Sequence, residues 1–551
     1  MDARSYYDLV IIGAGMGGSA LAYALRHTEL SILILERGGY IRQEQENWDP
    51  DEVIANRRYD PEELWLDEAD RPFRPRVYYN VGGSSKFFGG SSFRLREADF
   101  TGKHYPEGVT EPWPIRYEDL APYYDEAERL MWVHGRAGVD PTEAPRREYP
   151  YQPLENEDAI AWLEARLRRQ GLRPFPLPIA VHQGPGGRCR KGSPCDGFPC
   201  KIRAKGDGEN AFLRPALREK KDIEILTGAQ VRRLVTDDSG TRVQAVEFTL
   251  EGPDAAPQSR RVTADTVVLA AGAANSAALL LRSASPAHPR GLANGSGLVG
   301  RNFMAHNNTV LMAFSPLRRN PTKFQKTLTI NDFYLGPGAR AGARAGAKEG
   351  AGAGDAPGGR AATETPSGAR GFPGSGVPLG NIQMRGKVLP QNLARSSRPL
   401  VRLFRRFIAA RSFDFWIMSE DLPSPENRVE LLPADADGQR AGTIRLRRKL
   451  NNLGPHRELV RRLRRHLRRA GLPFMIEREP SASTIQHQVG TLRFGEDPAR
   501  SVLSPECRSH EVENVYVVDG SVFPSSAAVN PALTVAANAL RVGAILRDRL
   551  G

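Results

Sequence analysis

The sequence is poor in cysteine and has no long apolar run, and both absences narrow what the chain can be. Four cysteines in 551 residues are too few to staple a disulfide framework. No stretch of 18 or more apolar residues occurs, which leaves no candidate for a membrane-spanning helix. Acidic residues are in deficit, 64 Asp and Glu against 77 Lys and Arg, for a net charge of +13. Such an excess draws acidic partners when it lies on one face, but much of it is spread along the chain, so nucleic acid is not expected as a partner. From Met1 the chain passes almost directly into the apolar stretch Leu9 to Ile12 with no basic leader or cleavage region, and a cytoplasmic protein is expected. What is present is a globular balance, 40% apolar and 26% charged, with length enough for two substantial cores.

The densest basic block, Arg457 to Arg469, carries Leu459, Val460, Leu463 and Leu467 at helical spacing and Gly471 as a stop. It predicts a helix packed through its leucine stripe with arginines in solvent. Arg398 to Arg411 is a second basic amphipathic stretch, with Leu400, Val401, Leu403, Phe404, Phe407 and Ile408 on one side. Such a stretch can graze a membrane surface, but packing on its own domain is the expectation, because a helix of this kind normally completes a core. Gly336 to Gly376 is dominated by Gly, Ala and Arg without apolar period, and is expected to be a disordered insertion within one domain.

The two ends of the chain read as α/β. Tyr7 to Ile12 predicts a buried parallel strand, followed by Gly13-Ala14-Gly15-Met16-Gly17-Gly18 and a helical run. In this spacing Gly13 makes the tight turn, Gly15 lets the backbone approach a pyrophosphate, and Gly18 lets helix and strand pack closely. A second strand, Ile32 to Leu35, ends in Glu36, where a carboxylate can accept from ribose hydroxyls. The combination specifies an adenine dinucleotide, and Glu36 disfavours a 2′-phosphate electrostatically. At the other end Val515 to Val518 predicts a strand, and Asn530-Pro531 opens a helix to Leu550, with Asn530 suited to the N-cap and Pro531 to the first turn.

Five segments spread from residue 8 to 545 resemble the glucose-methanol-choline flavoprotein oxidoreductases. They are the glycine fingerprint with Leu35-Glu36-Arg37-Gly38, Val81-Gly82-Gly83-Ser84-Ser85 continuing to Gly89-Gly90-Ser91, Val267 to Leu281, His487-Gln488-Val489-Gly490-Thr491, and Asp519-Gly520-Ser521-Val522-Phe523 leading to Asn530-Pro531. The resemblance implies a Rossmann-type FAD-binding domain interleaved with a mixed α+β substrate domain built on an antiparallel sheet. The FAD-binding part is expected over 5–45, 72–100, 200–310 and 484–551, and the substrate or cap part over 46–71, 101–199 and 311–483. It further implies that Gly82, Gly83, Ser84 and Gly89 lie along pyrophosphate and flavin, that Val231 contacts adenine, that Asp519 holds the ribityl-phosphate side, and that Pro531 opens the final helix beside the flavin. Phe88 stands where the family usually has asparagine, so a polar contact near flavin N5 is absent or comes from elsewhere. The same segment presents no histidine for covalent attachment, and FAD is expected to be noncovalent. Cys195 to Cys200 and Gly300 to Asn308 look like a bacterial branch that includes oxidases of aminoglycoside-type sugars.

Hydride abstraction from an alcohol needs a base for the hydroxyl proton, and an imidazole suits that near neutrality. His487 occupies the position of the family's catalytic histidine, and Asn530 matches its second active-site position; helix capping competes for the Asn530 side chain. Glu420 is a possible third polar group of the substrate cavity, although an exposed strand-end carboxylate is the plainer expectation. Cys189, Cys195 and Cys200 fall inside twelve residues. Three thiols cannot close a tetrahedral zinc site, and His182 would have to fold back to complete one. Reduced structural thiols are expected, ahead of one disulfide or an iron-sulfur cluster of the kind some related dehydrogenases carry. The reading is therefore an alcohol oxidase or dehydrogenase with a small-molecule alcohol substrate and oxygen or another acceptor. Non-redox chemistry on the same fold, such as a lyase, is the alternative; the flavin would then stay oxidised when alcohol is added without air.

Overall fold

The computed structural model describes residues 4–192, 194–251, 257–336, 376–394, 398–433, 442–479 and 485–550. The strand Tyr6–Ile12 sits in the middle of a seven-stranded sheet. Ile32–Glu36 and then Ile223–Thr227 lie on one side of it and Gln258–Leu269 on the other, all parallel. Ile32–Glu36 is buried throughout, as a strand covered on both faces must be. Gln258–Leu269 serves two partners. Its first half pairs antiparallel with Val243–Leu250, which pairs with Ala229–Thr236, and its end pairs parallel with Val515–Val517. The parallel strands thus deliver their C-terminal ends to one edge, where ligands of open α/β sheets bind. Helix Met16–Ala24 leaves that edge and packs on the final helix Ala532–Leu550, so closely that a Cβ on Gly543 would fall 2.4 Å from Ala24 Cβ.

A second, antiparallel sheet runs in the order Phe474–Arg478, Asn307–Phe314, Phe413–Ser419, Asn381–Met384, Leu328–Ile330 and Phe175–Pro176. Alternation along its strands separates two jobs. Leu311, Ala313, Ile382, Met384, Phe415 and Ile417 face a core completed by the helices Asp158–Arg168 and Leu453–Arg469. Val310, Met312, Gln383 and Trp416, on the opposite face, line a cavity. The leucine stripe behaves as its spacing predicts, with Leu459, Val460, Leu463 and Leu467 all buried. A smaller sheet joins Arg428–Leu431, Ile444–Arg447, Trp65–Leu66 and Pro72–Phe73.

Two expected boundaries need moving. Asn307–Phe314 is hydrogen-bonded as one strand of the second sheet, so a division at 310 cuts it and belongs before 307. Likewise Trp65–Leu66 pairs with Pro72–Phe73 across the expected break at 71. The expected insertion lies, apart from its ends, outside the described residues. Those ends meet: a Cβ on Gly336 would fall 2.5 Å from Gly376 O, between the paired strands Leu328–Ile330 and Asn381–Met384. The stretch after Arg398 forms two short helices, Pro399–Leu403 and Arg405–Ala409, of which Val401 and Ile408 are buried while the other large apolar residues are exposed. The expectation that this face completes a core therefore holds for only part of it. Among the described residues no helix is long and apolar enough to cross a membrane.

Candidate active site

A cavity of about 890 Å³ opens between the C-terminal edge of the parallel sheet and the inner face of the antiparallel sheet. Its first arm is built by the glycine loop. A Cβ on Gly13 would meet Ala270 O at 2.6 Å and one on Gly18 would meet Gly13 O at 2.1 Å, so both are packing glycines. The Cβ direction of Gly15, which lines the cavity, is open to 3.8 Å, leaving the backbone approachable. Gly17 packs tightest of the four glycines in this loop, with a Cβ position 2.0 Å from Val518 O, a role its sequence context did not reveal. Glu36 lines the cavity and accepts from Ala14 N at 2.8 Å and Gly38 N at 2.9 Å; burial outweighs these bonds and lifts its carboxyl to about 7. Val231 lies on the same arm beside Ala229 and Gln230.

The middle of the cavity is bordered by Gly83, Ser84, Ser85, Phe88 and Gly89. Gly82 is set back from this wall, contrary to expectation. Its left-handed φ of 90° makes a turn that donates to Ala14 O, and the room of its missing Cβ is taken by the Lys86 chain at 2.5 Å. Lys86 is buried between Asp207 at 3.2 Å and Glu209 at 2.6 Å, an anchor that fixes the loop from behind. Asp519, also on the wall, accepts from Gly272 N and Ser276 Oγ through one oxygen and from Ser521 N through the other, joining the two segments.

His487, Asn530 and Pro531 meet at the far end. His487 holds a left-handed φ of 59°, rare for a non-glycine residue and concentrated at functional sites. A hydrogen-bonded chain fixes its protons. The carbonyl of Ser526 can only accept, so His306 donates to it from Nε2 at 3.2 Å and presents a bare Nδ1. His487 then donates from Nδ1 to His306 Nδ1 at 3.0 Å, which leaves Nε2 of His487 as the lone-pair nitrogen. That atom lies 3.3 Å from Asn530 Nδ2, whose own carbonyl accepts from Gln383 Nε2 at 2.9 Å, while Gln383 Oε1 accepts from Ser91 Oγ at 2.6 Å. Burial, His306 and Lys326 together hold His487 well below its usual 6.5, and burial takes His306 to about 4. Both imidazoles are neutral at neutral pH.

Asn530 therefore does not cap the last helix: that helix starts at Ala532, and Pro531 O takes its first bond, from Val535 N at 2.9 Å. Glu420 is neither exposed nor on the cavity wall. It is 1% exposed, pairs with Lys103, and accepts from Tyr105 and from Ala527 N, bracing the turn that presents Ser526 O to His306. Lys326 pairs with Asp196 at 2.9 Å directly against Gly89, and Arg385 stands just past the strand that carries Gln383, with its buried Nε unpartnered. Cys189, Cys195 and Cys200 are unbridged, burial raises the Cys195 thiol to about 11, and among the described residues no group of three His, Cys, Asp or Glu is placed to hold a metal ion.

His306, Gln383 and Ser91 were given no role by the sequence. Ser91 and His306 lie in stretches that were recognisable, but Gln383 follows the glycine-rich insertion, and only strand pairing brings it to Asn530.

Sequence models of GMC oxidoreductase match residues 76–308 and 423–539, and an NAD(P)-binding Rossmann-like model matches 11–54. The 6'''-hydroxyparomomycin C oxidase of Streptomyces lividus is 31% identical, covering 100% of this chain and 92% of its own. Paromamine 6'-oxidase of Streptomyces fradiae is 31% identical over 98% of this chain and 91% of its own. Among solved structures, pyridoxine 4-oxidase from Mesorbium loti superposes with a TM-score of 0.62 at 20% identity over 98% of both chains, a likeness of fold.

Proposed function

Because this chain belongs to the glucose-methanol-choline oxidoreductase family, we propose that its cavity oxidises one alcohol carbon of a polar, hydroxyl-rich substrate with His487 as the base. The family makes it a flavin-dependent enzyme of CH–OH oxidation. The residues present suit FAD: Gly13, Gly15 and the open first turn of Met16–Ala24 for the pyrophosphate, Glu36 for ribose, Val231 for adenine, Gly83, Ser84 and Gly89 along the flavin, and Asp519 beside the ribityl chain. Bound there, the flavin supplies the two-electron acceptor, N5, for the hydride leaving carbon. His487 is the only histidine among the described residues lining the cavity, which supports noncovalent attachment.

The observation that carries the reading is the chain from Ser526 O through His306 to His487, which leaves Nε2 bare beside Asn530. Nε2 takes the hydroxyl proton. Asn530 donates its amide to the substrate oxygen, steadied by Gln383. Lys326 against Gly89 is the polar group that makes up for Phe88. Ser91, Gln383, Asp196 and Arg385 give the substrate end a polar lining, and the relatives at 31% identity are named for paromamine and hydroxyparomomycin, so sugar-like or amino-sugar alcohols are the favoured class. The test is to mix the yellow holoenzyme without air with a panel of amino sugars, neutral sugars and simple alkanols. Bleaching by the hydroxyl-rich members is expected; a flavin that dithionite reduces but no alcohol bleaches would sink the reading.

A further inference from the structure

One surface outside the site combines exposed apolar side chains with an excess of arginine. In the helices Pro399–Leu403 and Arg405–Ala409 and at Phe404, the turn residue that joins them, Leu400, Leu403, Phe404 and Phe407 are 71, 74, 52 and 39% exposed. Their spacing of three, four and seven residues puts them on one stripe. Leu317, 98% exposed, lies beside the end of that stripe, because Arg411 Nε donates to Pro316 O at 3.1 Å. Isolated exposed leucines are ordinary, but a contiguous ridge of large apolar residues marks an interaction surface. Arg402, Arg405 and Arg406 stand exposed among them, Arg319 follows Leu317, and no Asp or Glu occurs within 315–324 or 398–411.

The arginine excess along these two stretches selects the partner, the Glu157 carboxylate bonded to them being held by the backbone at Lys323 and Phe324. A two-fold contact with a second copy would set these arginines against themselves, which is repulsive. An anionic lipid surface satisfies both components, with arginine on headgroup phosphate and Leu or Phe at the boundary of headgroup and acyl chain. The inner side of the same segment faces the cavity, where Arg398 and Val401 form part of the wall. We propose that this ridge docks the enzyme on the surface of bilayers rich in anionic phospholipid, with the cavity wall at Arg398 and Val401 behind it.

The test uses the full-length, flavin-loaded protein and sedimentation with vesicles of phosphatidylcholine alone or with one third phosphatidylglycerol. Binding to the mixed vesicles, weakened by salt and absent with phosphatidylcholine alone, is expected. The double variants Leu403→Ser with Phe404→Ser and Arg405→Gln with Arg406→Gln should each lower partitioning by roughly tenfold or more. Flavin content and the rate of flavin reduction by a soluble alcohol should not change, which separates lost docking from lost folding. Failure of the folded wild type to sediment with mixed vesicles would overturn the proposal, as would undiminished binding by both variants. A dimer in light scattering that the Leu403→Ser, Phe404→Ser variant dissolves, without vesicle binding, would assign the ridge to a second copy instead.

Discussion

At the scale of single residues, the site turns on which nitrogen of His487 is bare. Since its imidazole is held well below 6.5, the base is already unprotonated at neutral pH. Flavin reduction should therefore be level above pH 6.5 and fall only on the acid side, as stopped-flow rates across pH 4.5 to 8 would reveal. This differs from what an unperturbed histidine would give, a rise through neutrality. His487→Ala should keep its FAD, because the cradle is made by other segments, yet reduce it roughly 10²- to 10⁴-fold more slowly. Asn530→Ala should show a smaller defect in the same step with no loss of helix stability, its side chain not being a cap. His306→Ala removes both the acceptor that fixes the tautomer and one cause of the depressed basicity. Its acid limb should move up toward 6.5, with a rate loss of up to roughly 10²-fold, the scale expected for a misoriented reacting group. An unmoved pH profile would reduce His306 to a packing residue.

Among elements, two contacts are sharp enough to test. Helix Met16–Ala24 crosses the end of Val515–Val517 so closely that Gly17→Ala drives a methyl into Val518 O. Backbone meets backbone there, and neither can swing aside. We expect a cost of about 1–3 kcal/mol with reduced flavin content, read by thermal melts and absorbance. Gly39→Ala, with nothing within 4 Å of the new atom, is the matched control. The second contact is His456, which joins helix Leu453–Arg469 to the antiparallel sheet through Thr309 Oγ1 and Ser419 Oγ, both at 2.9 Å. Burial lowers it to about 4 from 6.5, so its neutral form belongs to the folded state. The unfolded chain takes up a proton first as pH falls, so stability fully present above pH 6.5 is lost as pH drops toward 4. Between pH 7.5 and 5 wild type should lose on the order of 2 kcal/mol more than His456→Gln in urea unfolding.

For the whole molecule, the decisive arrangement is one cavity closed by two sheets, each built from distant parts of the chain. Because Gly336 and Gly376 already touch, replacing residues 337–375 by a short glycine bridge should leave flavin content and reduction rate unchanged; loss of soluble protein would show that the segment supports the fold. The dinucleotide arm was legible in the sequence because its logic is local: a strand, a turn that needs glycines, a helix and a terminal carboxylate all lie within Tyr6–Glu36. The leucine stripe of the helix ending at Arg469 and the identities of His487 and Asn530 were likewise readable, the last two through resemblance. The rest was decided by tertiary structure. Glu420, at a strand end, reads as exposed until Lys103, more than three hundred positions away, covers it. Gln383 acquires its place only when Asn381–Met384 pairs with Phe413–Ser419. The proton on His487 is set by a carbonyl at Ser526 acting through His306. By itself the sequence determined which backbone segments can hold a dinucleotide, since that depends on steric freedom and period within a few residues. Which nitrogen is the base, which carboxylates are buried and which apolar face stays open depend on contacts between remote segments, and only the packed molecule decides them.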